Sequence, residues 1–114
     1  MKKLFTFLLF LFFITKSFAQ FDTEHWFAPM ADASNGSEAQ QYIYVSTNES
    51  TPFKVDIYNN NIVIGTINNL IKGNPQKFYI PKEYIITNYT TEINVKTTLG
   101  LHLVGEKKFF ANLR

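Results

Sequence analysis

Two histidines, nine carboxylates and a single tryptophan are the side chains through which this chain could do chemistry. A zinc site needs three or four His, Cys or carboxylate ligands at paired spacing, such as two histidines one helical turn apart. His25 has only Asp22 and Glu24 near it, and His102 stands alone between Leu101 and Leu103, where a strand would turn it outward. Nucleophilic catalysis wants a Ser, Cys or Thr beside a base held by a third group. Cysteine is absent and no Gly-x-Ser-x-Gly run occurs. Asp56, Glu83, Glu92 and Glu106 fall on the polar side of alternating stretches or in turns, so solvation accounts for them without a hydrolytic pair. The glycines are isolated, which leaves no phosphate-cradling loop, and Lys107-Lys108 is a charge pair usual at a hairpin end. Taken alone, the residues predict no catalytic group, no metal site and no cofactor.

The densest unusual stretch is His25-Trp26-Phe27-Ala28-Pro29-Met30, which sets the only Trp beside Phe and Pro. An exposed flat ring here would stack on the face of a sugar, and Tyr42, Tyr44 and Tyr58 could likewise line such a surface. The competing expectation is that Trp26 and Phe27 anchor the start of the chain, because a buried aromatic removes about 150–250 Å² from water. Anchoring is the leading expectation for Trp26, and Trp26, Tyr42 and Tyr44 are the candidate ligand-stacking residues. Tyrosine is also favoured in strands for its own sake, as Tyr58 illustrates.

Short strands must position these groups. Residues 20–41 show neither a two-residue nor a 3.6-residue apolar period, and predict an extended lead-in segment with a loop at 32–38. Residues 42–47 form an aromatic and β-branched run that 48–52 interrupts. Phe53, Val55 and Ile57 then alternate with Lys54, Asp56 and Tyr58, which puts three apolar side chains on one face of a strand. Asn59-Asn60-Asn61 follows; asparagine tolerates the left-handed conformation of tight hairpin turns, so 62–67 should return antiparallel. Further short strands are predicted at 77–80, stopped by Pro81, and at 84–87, 92–98, 101–104 and 109–113. Seven or eight strands with frequent turn signals and no long helix indicate an all-β, antiparallel, sandwich-like domain over residues 42–114.

Residues 1–19 carry a different signal. Lys2 and Lys3, the Leu/Phe-rich run of 4–14, and Ser17 and Ala19 at the −3 and −1 positions match a cleaved signal peptide, with Gln20 as the first mature residue. The apolar run is shorter than the roughly 20 residues that span a bilayer, so no transmembrane span is expected in the mature chain. Cleavage leaves 95 of the 114 residues and removes three lysines, which takes the formal charge from +2 to −1. A near-neutral chain offers no electrostatic case for nucleic acid. A domain of this length bound for an oxidising compartment without one cysteine points to a bacterial source or to a domain stabilised by packing against neighbours, and the three Asn-x-Ser/Thr sites at Asn35, Asn48 and Asn88 fit chance in an Asn-rich sequence.

The order of landmarks resembles a known family. Ala19-Gln20-Phe21, the stretch 24–30 quoted above, Gln41-Tyr42-Ile43-Tyr44-Val45-Ser46, Leu99-Gly100-Leu101-His102-Leu103 and Lys108-Phe109-Phe110-Ala111-Asn112-Leu113-Arg114 are similar to the start of large secreted Bacteroidota surface proteins. That start resembles the IgGFc-binding protein N-terminal domain, in proteins that often end in a type IX secretion sorting domain associated with gliding motility. The resemblance implies a non-enzymatic cell-surface binding or adhesion module whose partner is a protein or a glycan, located at the outer surface or outside the cell. It also implies a longer gene product, of which these residues are an amino-terminal fragment. The alternative is a carbohydrate-binding accessory domain of a carbohydrate-active protein.

Overall fold

A computed structural model describes residues 21–32, 40–88, 91 and 96–114; the signal-like segment and most of the stretch 92–98 lie outside them. Eight strands account for most of the described chain: β1 (Asp22–Phe27), β2 (Met30–Asp32), β3 (Gln41–Ser46), β4 (Phe53–Asn59), β5 (Ile62–Leu70), β6 (Gln76–Ile80), β7 (Ile86–Asn88) and β8 (Leu101–Leu113). A single 3₁₀ turn at Lys82–Tyr84 is the only helical piece among the described residues.

β8 organises the molecule. Its first half pairs with both β1 and β4, and its second half with β3, so thirteen residues tie one end of the fold to the other. The antiparallel sheet runs β5-β4-β8-β3-β6, with β1 also on β8. The outer strands β5 and β6 follow one another through the tight turn at 71–74, and the Gln76 side-chain amide donates to the carbonyls of Asn68 and Asn69 at 3.0 and 3.2 Å. The sheet is therefore nearly closed. A short parallel pair, β2 with β7, lies beside it.

Period-2 alternation fills the interior. Ile43 and Val45 of β3, Phe53, Val55 and Ile57 of β4, Ile67 and Leu70 of β5, Ile80 of β6 and Leu101, Leu103 and Phe109 of β8 are all buried. Gly65 is where the two ends of the sheet meet closely, because the ring of Phe78 from β6 lies where a Cβ would stand. Thr47 is the one buried polar residue among those described; its hydroxyl donates to the Lys108 carbonyl at 2.7 Å and accepts from the Glu49 amide at 3.1 Å. The β4–β5 hairpin turns on Asn60 and Asn61, with φ of 45° and 66°, the two left-handed residues that a type I′ turn requires.

Three features depart from the sequence expectations. Residues 20–41 contain two strands, and β1 is integral to the sheet, since Thr23, His25 and Phe27 alternate inward against Asp22, Glu24 and Trp26. Trp26 falls on the outward position, which disguised the period. The stretches 101–104 and 109–113 are one strand, because Gly105 continues the inward row with the Phe109 ring packed against it. The strand expected at 84–87 begins at Ile86, after the 3₁₀ turn, and residues 96–98 lie in no strand.

Candidate functional site

The outward face of β1, β8 and β4 carries a row of rings. Cross-strand pairing puts Trp26 beside His102 and His102 beside Tyr58. The indole and imidazole stack with centroids 3.6 Å apart and planes within 8°, and Tyr58 lies 5.9 Å from the same imidazole. His102 Nε2–H donates to Glu24 Oε2 at 3.1 Å, which fixes the imidazole beneath the indole. Trp26 nevertheless remains 71% exposed. One ring face rests on a held partner and the other is open to a ligand.

This overturns the expectation that Trp26 anchors the lead-in segment. The inward neighbours do that work: Phe27 and Met30 pack on the core, and His25 sits edge-on to Phe109 with Nε2–H donating to the Phe109 carbonyl at 2.8 Å. His25 is thereby committed to packing.

Beside Trp26 lies an open groove of about 430 Å³, walled by Trp26, Pro29, Tyr58, Asn60, Asn61 and Thr98. That size lies within the range of small-ligand sites, about 300–1,000 Å³. Its far wall is the 97–100 loop, which the hairpin holds directly. The Asn59 amide donates to the carbonyls of Gly100 at 2.9 Å, Thr98 at 3.2 Å and Tyr84 at 3.4 Å. Gly100 has φ of +119°, and a Cβ there would meet the Phe27 carbonyl at 2.9 Å, so only glycine lets the loop approach β1 so closely. The exposed Asn60, Asn61 and Thr98 set amide and hydroxyl groups around a mostly aromatic floor. The sheet face continues past this row with Asp56, whose carboxyl the Lys54 ammonium at 2.9 Å and the Thr66 hydroxyl at 2.7 Å hold below the usual carboxylate range. Lys54 is raised in turn by the same contact with Asp56.

Tyr42 and Tyr44 do not join Trp26. Trp26 pairs with His102 and Tyr44 with Asn112, ten positions further along β8, about 33 Å of extended strand. The three stacking residues expected from sequence therefore belong to two surfaces. Sequence reasoning offered Tyr58 as a surface residue alongside Tyr42 and Tyr44 and turned His102 outward, but it missed that both, with the Asn60-Asn61 turn, are partners of Trp26; the only signal available was the shared outward phase of Trp26, Tyr58 and His102 in three separate strands.

Comparison of the chain with protein-family models, curated proteins and solved structures returns no match.

Proposed function

We propose that this chain is a non-enzymatic, exported binding module of the cell surface, and that the Trp26 groove takes a carbohydrate. The observation that carries the ligand class is the exposed indole stacked on a fixed imidazole. The axial C–H face of a pyranose is attracted to the negative face of such a ring, and a ring already held in place loses little entropy on binding. Asn60, Asn61 and Thr98 supply the donors and acceptors that sugar hydroxyls need, and a groove of this openness suits a few units of a longer chain. Export, surface location and a place at the front of a larger adhesin-like protein rest on residues 1–19 and on the resemblance to the IgGFc-binding N-terminal region.

Because Trp26 is the only tryptophan, its emission reports on the groove directly. Titration with neutral oligosaccharides of glucose, galactose, mannose and N-acetylglucosamine should give a saturable shift or quench for at least one. Calorimetry should show that binding lost in Trp26→Ala, with the melting temperature within about 3 °C of the parent, since an exposed ring contributes little to stability. A flat response across all four series would refute the reading. A protein partner is the second reading, favoured by Ile62 and Val63, which stand 67% and 49% exposed at the tip of the same hairpin. It predicts that Ile62→Ser, rather than Trp26→Ala, removes adhesion.

A further inference from the structure

At the other end of β8 the outward face changes character. Tyr42 and Tyr44 of β3 and Tyr79 of β6 form a ring cluster, with centroids 6.3 Å apart for Tyr42–Tyr44 and 5.7 Å for Tyr42–Tyr79. Tyr44 and Tyr79 are 40% and 49% exposed. Two cations lean over these rings: Lys77 Nζ lies 4.9 Å from the Tyr42 centroid, and the Arg114 guanidinium carbon 5.8 Å from that of Tyr44. Backbone hydrogen bonds in both directions between Arg114 and Tyr42, at 2.7 and 2.9 Å, hold the arginine at this edge. Neither cation has a carboxylate within ion-pair distance among the described residues.

Among the described residues, strand register keeps acidic side chains off the patch. Its outward positions are Ser46, Tyr44, Tyr42, Lys77, Tyr79, Phe110, Asn112 and Arg114, with no acid among them. Glu24, Asp56 and Glu106 all belong to the other half of the face. A chain with a nearly balanced overall charge thus keeps two cations, with no carboxylate side chain paired to either among the described residues, on one aromatic surface. Cation–π contacts leave the outer side of each cation free for an anion, and the rings present flat apolar faces beside it.

We propose that this surface binds an acidic polysaccharide, with sugar rings on Tyr44 and Tyr79 and carboxylate or sulfate groups on Lys77 and Arg114. The rings distinguish this occupant from a simple anion, and the absent acids distinguish it from the neutral ligand of the Trp26 groove. The two sites are separate and fail separately.

The test uses the purified chain with polygalacturonate, heparin, neutral dextran and poly-glutamate. Polygalacturonate or heparin should bind with an affinity that falls as salt rises, because exposed charge pairs are screened within about 8 Å at physiological ionic strength. The preference between those two tells carboxylate from sulfate. Lys77→Gln combined with Arg114→Gln should weaken this binding roughly tenfold at unchanged melting temperature, as should Tyr44→Ala, whereas Trp26→Ala should leave it intact. Equal binding of dextran, tighter binding of poly-glutamate, no binding of either acidic polysaccharide, or full binding by the double variant would overturn the proposal. Loss of neutral oligosaccharide binding alone bears only on the Trp26 groove.

Discussion

Gly65→Ala isolates the contact that brings the two ends of the sheet together. A Cβ at this position would lie 2.6 and 2.8 Å from Phe78 Cε2 and Cε1, closer than carbon atoms pack, with Cζ nearer still. The ring cannot move freely, because Phe78 packs against the core cluster. Overpacking of this kind costs about 1–3 kcal/mol. Gly65 has no positive φ, so alanine fits the backbone and recovers about 0.4–1 kcal/mol through the unfolded chain. The net expectation is a loss of up to about 2.6 kcal/mol, with a melting temperature lowered by about 4–8 °C for each kcal/mol in a domain of this size. The diagnostic is a double-mutant cycle with Phe78→Leu, a large-to-small change whose own cost, from lost burial and the space left behind, the cycle subtracts out. Once the ring is gone, Gly65→Ala should become neutral or stabilising. Urea denaturation followed by far-ultraviolet circular dichroism gives the four free energies. If the two substitutions add to within about 0.5 kcal/mol, Phe78 does not sit over Gly65 and the closure of β5 onto β6 is wrong.

Val55→Asp should unfold the domain, because it places an unpaired carboxylate at a fully buried position of the central hairpin; Lys54→Gln, one residue away on the solvent face, should leave it folded, and similar loss of the folded circular-dichroism signal in both would contradict the assigned strand phase. Asp56 is held below its ordinary pKa by Lys54 and Thr66, so its contribution is complete above the unfolded value near 3.9 and disappears as pH falls through the lower folded value. Asp56→Asn should therefore flatten the acid limb of stability against pH below about 4, and an unchanged slope there would show that the contact is energetically silent.

The hairpin of β4 and β5 was legible because every signal for it is local. Phe53, Val55 and Ile57 alternate with polar neighbours, and Asn60 and Asn61 supply the two left-handed residues between the strands. The all-β class followed from the same short-range pattern. Local reasoning failed where one residue broke the phase. Trp26 at an outward position hid β1, and Gly105 among charged neighbours divided β8 in two. In both cases the missing information was the surface on the far side of the strand, which lies many residues away in sequence.

Phase and turn chemistry act between neighbours, so the sequence by itself determined that the chain is built mainly of antiparallel strands and which side of β4 faces inward. The candidate surfaces depend on strand order, and order depends on contacts between residues far apart in the chain, such as His25 with Phe109, 84 positions away. Only the tertiary structure decided that β8 lies between β1 and β4, which stacks Trp26 on His102 and opens the groove at the asparagine turn. The same register carried Tyr42 and Tyr44 to the opposite end, beside Lys77 and Arg114. Pairing between strands far apart in the chain follows from closing a shared apolar core, and no single strand encodes its neighbour.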